Sequence, residues 1–189
     1  MRSAKPRSEA ARTPRAPRVA SFAPQVGACC RVLILGTVPS PRSLELRQSY
    51  GHRQNLFWPF MGELFDAGPQ LPYAQRIARL QAHGVGIWDV LAQCRRRGAL
   101  DSDILRASEV PNDIAGLLAA HPETGAIALN GAKAHEVFRR RIVPQLPAPR
   151  LATLRVLALP STSPANASIP RATKLARWRE LVVLAAPPH

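Results

Sequence analysis

Chemistry-bearing residues of this 189-residue chain gather at the ends of short apolar runs. GTVPS, from Gly36 to Ser40, follows the run Val32 to Leu35, and Tyr50, His52 and Asn55 come soon after in YGHRQN. Asp89 closes GIWD, and Ser161, Thr162, Ser163, Pro164, Ala165 and Asn166 spell STSPAN after a later run. Gly36 has no side chain, so the backbone there can approach a ligand closely, and Thr37 and Val38 then offer their own backbone groups. The Asn55 carbonyl can accept a hydrogen bond from a water and so orient it, although an amide is far too weak to be a general base. It can equally cap a helix starting in LFWPF, and both uses are compatible. Tyr50 offers either a ring for stacking or a half-buried aromatic edge. Asp89 offers an acceptor for a ring N–H or a cap for the following turn. His52 is either a donor or an ordinary surface histidine. The STSPAN segment is a rigid tight turn of small residues, able to approach phosphates closely, or a plain strand-to-helix loop. Behind it, Arg171, Lys174, Arg177 and Arg179 lie on a helical stretch that could grip a polyanion. Arg95 to Arg97 and Arg139 to Arg141 read as solvated faces.

Several chemistries are excluded by spacing. GVGIWD, from Gly84, lacks the third glycine of a dinucleotide fingerprint, and no GxxxxGK[ST] occurs. There is no GxSxG elbow for an acyl-transfer serine. The five histidines, at 52, 83, 121, 135 and 189, lack paired zinc-ligand spacing, and three cysteines cannot supply four thiolates. Neither a metal nor a cofactor is expected. The net charge of +14, carried by 23 arginines and three lysines, points to a polyanionic partner or to an arginine-rich coding habit. Cys29, Cys30 and Cys94 make no disulfide framework, so a reducing, cytoplasmic setting is expected. No apolar run approaches the ~20 residues that span a bilayer, so no membrane role is expected.

Positioning elements follow from periodicity. Val32 to Leu35, Gly86 to Val90, Ala126 to Leu129 and Val156 to Leu159 read as buried parallel strands, covered on both faces. Helical spacing covers Phe57 to Phe65, Tyr73 to Ala82, Asp113 to Ala120, Ala132 to Arg141 and Thr173 to Leu184. Alternating strands and helices predict an α/β fold, a three-layer α/β/α sandwich with a mainly parallel, roughly four-stranded central sheet. Ligands in such folds bind beyond the carboxyl ends of the strands, where the polar turns above converge. Residues 1–27, with four prolines, five arginines, one lysine and the single acid Glu9, are expected to be a disordered basic arm. An organellar transit peptide is the competing reading of that arm, but Pro6, Pro14 and Pro17 would break its amphipathic helix. The globular domain is expected to span residues 28–189. Asn112 and Asp113 read as helix caps, and Asn130 is a further candidate for the site.

Taken in order, GTVPS, YGHRQNLFWPF, GIWDV, NDI, LNGAKA and LPSTSPANA resemble the hypoxanthine (deoxyinosine) DNA glycosylase family, family 6 of the uracil-DNA glycosylase superfamily. The likeness spans roughly residues 31 to 182. A weaker likeness to the mismatch-specific uracil glycosylases breaks at Thr37, where those proteins carry an Asn. The resemblance therefore implies Asn55 as the catalytic amide, and Tyr50 as the ring that stacks on a base flipped from the duplex. Gly36, Thr37, Val38 and Asp89 would read the base edge. Ser40, His52, Ser161, Thr162, Ser163, Pro164, Ala165, Asn166, Arg171 and Lys174 would contact DNA, with Ala165 and Asn166 entering the vacated space. Phe57 and Trp58 would pack beneath the site. The implied substrate is double- or single-stranded DNA containing a deaminated base; a monomer is the default expectation, associated with the nucleoid when bound to DNA. Hypoxanthine and uracil both present a carbonyl and a ring N–H, so this pattern separates them poorly. Strand cleavage would need an amine nucleophile; Lys133 is the one core candidate outside the last helix, so a monofunctional enzyme leaving an abasic site is expected.

Overall fold

The structure, a computed structural model, describes residues 16–187. In chain order the elements are β1 (Arg18–Ala20), β2 (Val32–Gly36), α1 (Pro41–Leu46), α2 (Phe57–Phe65), α3 (Tyr73–Ala82), β3 (Val85–Asp89) and β4 (Leu91–Arg95), then β5 (Val110–Pro111), α4 (Ile114–Ala120), β6 (Ala126–Asn130), α5 (Ala132–Val137), α6 (Ala148–Thr153), β7 (Arg155–Leu159), α7 (Arg171–Trp178) and α8 (Glu180–Ala185). A parallel sheet in the order β3-β2-β6-β7 forms the middle layer. A small antiparallel sheet, β1-β4-β5, sits beside it.

The strands alternate their side chains between two cores, as a period of two requires. Leu33, Leu35, Ile127 and Leu129 face one layer with Ile114, Leu118, Val137 and Phe138. Val32, Ile34, Ala126 and Ala128 face the other, with Phe57, Phe60, Met61, Trp178 and Leu181. Every residue of β2 and β6 is buried, which is why both are continuous apolar runs. The three-layer α/β/α architecture expected from the sequence is the one observed.

Three readings change. β7 is an edge strand with Val156 and Ala158 exposed, so its apolar run is covered on one face only. The helical period of residues 132–141 continues past α5 as a π-helical segment, Phe138–Ile142. The last helix is two, α7 and α8, meeting at Arg179.

The largest correction concerns the basic arm. Residues 16–27 belong to the fold, whereas 1–15 lie outside the described residues. β1 pairs antiparallel with β4, placing Val19 opposite Cys94 and burying it. Gln25 and Ile87 exchange backbone hydrogen bonds of 3.0 and 3.1 Å, so this segment covers the free edge of β3. Trp88 Nε1 donates to the Phe22 carbonyl at 2.9 Å. Composition misjudged this stretch because backbone pairing, which any residue type supplies, fastens it more than apolar content does.

A variant lacking residues 1–27 should therefore melt on the order of 5–10 °C below one lacking only 1–15, given ~1.5–3 kcal/mol for Val19 alone and ~2–4 °C per kcal/mol at this size. Differential scanning calorimetry of the two truncations distinguishes them; equal midpoints would mean that the β1 segment contributes nothing.

Candidate active site

The carboxyl ends of β2, β3, β6 and β7 open on one cavity of about 360 Å³. Gly36, Thr37, Val38 and Ser40 line it from β2, Asp89 from β3, Asn130 from β6, and Ser161, Thr162, Ser163, Ala165 and Asn166 from the turn after β7. Tyr50 and Asn55 complete the wall ahead of α2.

Gly36 is needed at its position because a Cβ there would lie 2.7 Å from Asp89 Oδ1 and 2.9 Å from the Tyr50 hydroxyl. The bare backbone lets both groups converge. Tyr50 adopts a left-handed backbone conformation, φ 56°, and stacks on Phe57 with centroids 3.8 Å apart and planes 16° from parallel. Its hydroxyl is sealed from solvent without a hydrogen-bond partner. Burial, with Asp89 close by, pushes that phenol's pKa well up, so it stays neutral. Phe57 in turn packs edge-on to Trp58 and Trp178, a rigid aromatic base for the Tyr50 ring.

Asp89 accepts from Ser21 Oγ at 3.0 Å, and Asn112 donates to its backbone carbonyl at 2.8 Å. Burial raises the Asp89 carboxyl to about 7, opposed by the Ser21 hydrogen bond and reinforced by Asp101. Asn112 is thus a tether for the end of β3, not a cap; Asp113 caps α4, its Oδ1 accepting from Gly116 N at 2.8 Å.

Asn55 has both of the roles open to it in the sequence within reach. Its Oδ1 accepts from Phe57 N at 3.0 Å, capping the start of α2, and the carboxamide still lines the cavity. A carbonyl oxygen has two lone pairs, so one remains for a water. Leu56 N, the next along, donates to the Thr162 carbonyl at 3.0 Å. Thr162 is fully buried and exchanges two hydrogen bonds with Asn130: Thr162 N to Oδ1 at 3.0 Å, and Nδ2 to Thr162 Oγ1 at 2.9 Å. At the same junction Gly131, φ 99°, leaves room for Ser161, whose Cβ would stand 2.9 Å from a Cβ at 131.

Other expected contacts fall elsewhere. Lys174 is 2% exposed and donates to the carbonyls of Ser161, at 2.8 Å, and Asn166, so it braces the STSPAN turn from behind and is not available to DNA phosphates. Burial pushes its ammonium pKa down. Arg171 pairs with Glu63 and lies over the Phe60 ring, away from the cavity. His52 is exposed outside the cavity lining, its Nδ1 accepting from Gln54 N at 3.2 Å. Pro164 is exposed on the turn without lining the cavity. Ser40 lines the cavity but is also the N-cap of α1, accepting from Ser43 N at 3.2 Å.

The sequence reading missed the bank formed by Arg96, Ala99, Leu100, Asp101 and Ser102. Arg96 is 4% exposed, not part of a solvated face. Thr37 Oγ1 donates to Asp101 at 2.8 Å, joining this bank to GTVPS. Among the described residues, no group of three His, Cys, Asp or Glu is placed to hold a metal ion.

With this geometry in place, comparison with known proteins is decisive on one point. The family model of the uracil DNA glycosylase superfamily matches residues 24–182. The chain belongs to that superfamily. It is 36% identical over 106 residues to a hypoxanthine DNA glycosylase of Methanosarcina acetivorans, a match covering 56% of this chain and 66%, just under two thirds, of that protein. It is 31% identical over 116 residues to the hypoxanthine DNA glycosylase of Methanosarcina barkeri, covering 61% of this chain and 72% of that one. The solution NMR structure of a Methanosarcina acetivorans protein described as a uracil DNA glycosylase superposes with a TM-score of 0.74 at 27% identity, covering 90% of this chain and all of that one. In this superfamily member, the match beginning at residue 24 reaches into the segment that covers the edge of β3.

Two outcomes are expected. Gly36→Ala pushes apart the ends of two side chains, not backbone, so the fold should survive; displacing the cavity wall by about 1 Å should cost activity on the order of 10²-fold. Fluorescence-monitored melting and single-turnover assays of the variant check this, and unchanged activity would show that the wall yields. For Asp89, a folded pKa of about 7 against an ordinary 3.8 means the folded state holds the extra proton between those values. Stability then falls as pH rises through that window and levels above it. The stability advantage of Asp89→Asn over the native chain should grow from about pH 4 to about pH 7 and then stay flat, as read by urea midpoints across pH.

Proposed function

We propose that this chain is a monofunctional DNA glycosylase of base excision repair, hydrolysing the N-glycosidic bond of deoxyinosine to release hypoxanthine and leave an abasic site. The observation that carries the reading is Asn55, a carboxamide held on the cavity wall by its hydrogen bond to Phe57 N, in the same cavity as Asp89 and Gly36. The names of the two Methanosarcina relatives support the choice of base.

The nucleotide must leave the duplex before any group here can reach its C1′, a step that costs a few kcal/mol of unstacking. Within the cavity, Asp89 accepts the ring N–H of the base, while Tyr50 offers its ring. Asn55 accepts one hydrogen bond from a water and aims its oxygen at C1′. The C1′–N9 bond breaks with its electron pair going to the base, the water oxygen bonds to C1′, and a water proton is released. Because an amide cannot remove that proton early, most of the acceleration comes from stabilising the departing base and the sugar cation.

The lack of strand cleavage follows from the lysines. Lys133 is paired with Glu109 at 2.9 Å and Glu136 at 3.0 Å, and Lys174 is committed to two carbonyls. Among the described residues no amine lines the cavity. The mismatch-specific uracil reading is disfavoured at Thr37, which has no amide and whose hydroxyl is already donated to Asp101.

Duplex and single-stranded oligonucleotides carrying inosine, uracil, xanthine or ethenocytosine, treated with alkali after incubation, test the proposal. Inosine is expected to be processed best, with no cleavage before alkali, and Asn55→Ala should slow excision by ~10²–10³-fold with DNA affinity retained. Uracil release without inosine release would overturn the substrate; absence of turnover on any damaged base would leave a non-catalytic basic DNA-binding protein. The rate on inosine should also rise through about pH 7, since the ionised Asp89 carboxylate is the stronger acceptor for the ring N–H, and Asp89→Asn should remove that step.

A further inference from the structure

Arg96 lines the cavity and has no part in the mechanism above. It is 4% exposed. Nη2 donates to the Pro39 carbonyl at 3.1 Å, and Nε is sealed without any partner. Among the described residues, no carboxylate lies within the 4.0 Å of an ion pair. Asp101, on the same bank, feels the Arg96 charge from beyond that distance, and one of its oxygens is taken by Thr37. A buried guanidinium without an ion-pair contact is costly, since it forfeits hydration and regains only part of it. Elsewhere the chain avoids this: Arg140 pairs with buried Glu109, and Arg171 with Glu63. Arg96 is therefore a rigid fork of donors, under-supplied with acceptors, facing the space that a ligand fills.

We infer that Arg96 reads the O6/N7 edge of the flipped hypoxanthine and is a specificity-determining residue of the site. This rests on the proposed substrate and deepens it. The planar guanidinium matches the O6 and N7 acceptors of guanine as a bidentate pair, and hypoxanthine carries the same two acceptors in the same places. Uracil has no N7, and adenine has an amine in place of O6, so neither satisfies the fork. The hypoxanthine N1–H lies beside O6, so Asp89 at N1–H and Arg96 at O6/N7 would cover one continuous stretch of the base. When the C1′–N9 bond breaks, the electron pair left on the base spreads over the ring toward N7 and O6. A fixed cation at that edge is then worth most in the transition state. A DNA phosphate is the competing acceptor, but phosphates stay at the rim, whereas Arg96 is buried beneath the GTVPS turn, where Pro39 takes one Nη2 hydrogen and leaves Nη1 and the other Nη2 hydrogen as the fork.

The test pairs two substrates with two variants. Native protein, Arg96→Gln and Arg96→Lys are assayed by single turnover on duplexes carrying deoxyinosine or 7-deaza-deoxyinosine, which lacks the N7 acceptor, and their affinity for an abasic-site duplex is measured. The native protein should disfavour the 7-deaza substrate by more than ~10²-fold, part of it because loss of N7 makes the base a poorer leaving group, and Arg96→Gln should slow deoxyinosine excision by ~10²–10³-fold while shrinking the 7-deaza penalty by ~10-fold or more. Arg96→Lys keeps the charge but not the fork, so it should retain the fold and still lose the discrimination. Abasic-site affinity should stay within ~3-fold in both variants, because phosphate contacts are untouched. A full 7-deaza penalty persisting in the variants, or abasic-site affinity falling in parallel with excision, would overturn the inference in favour of a structural or phosphate-binding arginine. Should Arg96→Gln fail to fold, an absent 7-deaza penalty in the native protein alone refutes it. Failure of the substrate reading looks different: the unmodified protein would release no hypoxanthine, and the inference falls with it.

Discussion

The site depends on Thr162. Its amide, hydroxyl and carbonyl are all engaged, the first two by the Asn130 carboxamide and the third by Leu56 N. Three separate pieces of chain meet there: the end of β6, the turn after β7, and the entry to α2 that carries Asn55. None of these is covalently close to another, so their spacing is set by hydrogen bonds inside a fully buried residue. In such a setting each bond is worth more than at the surface, and leaving one unmade would strand a polar group in the core. Lys174 supports the same turn from its other side through the carbonyls of Ser161 and Asn166. A buried ammonium used this way serves the rigidity of the turn and forgoes contact with any polyanion.

Electrostatics on the opposite bank are less settled, which is what a site of this kind requires. Asp89 and Asp101 both face the cavity, and Asp101 makes Asp89 harder to ionise. Tyr50 places a neutral hydroxyl between these acids and the aromatic base. The ionised form of Asp89, which the proposed chemistry uses, is the form that burial penalises. Stability and activity therefore pull against each other across the same pH range, and the carboxylate is held in place by Ser21, a residue of the segment covering the edge of β3. The fold thus extends to residue 16 for a reason that reaches the site.

Legibility in the sequence followed the kind of force involved. β2 and β6 were readable because burial on both faces leaves only apolar residues, and α2 and α3 because one face of each must be apolar. The turns carrying Gly36, Asp89 and Thr162 were readable because they follow or close apolar strands, and Asn55 because it directly precedes the apolar start of α2. β1 and the bridge at Gln25 were not, since backbone pairing leaves little mark on side-chain choice. Helix α1 did leave a mark, Ser40 followed by Pro41, the usual pairing of an N-cap with a proline at the first helical position. Arg96 could not be told from its neighbours Arg95 and Arg97 by type; only the course of the chain after β4 decides which of three consecutive arginines turns inward.

That course also bears on where the amide proposed to hold the water sits. At residue 37 this chain has a threonine whose hydroxyl is bound to Asp101, so the turn after β2 is spent on fastening the Arg96 bank to the wall of the cavity. The carboxamide is instead eighteen residues on, at the start of α2. This displacement in sequence is small in space, because Leu56 is tied to Thr162 and Thr162 to Asn130, which returns Asn55 to the same cavity as Gly36. With the proposed water-holding amide at Asn55, the first turn carries a different contact: Thr37 donating to Asp101 fastens the bank that bears Arg96 to the turn after β2, and the proposed reading of the base by Arg96 uses that link.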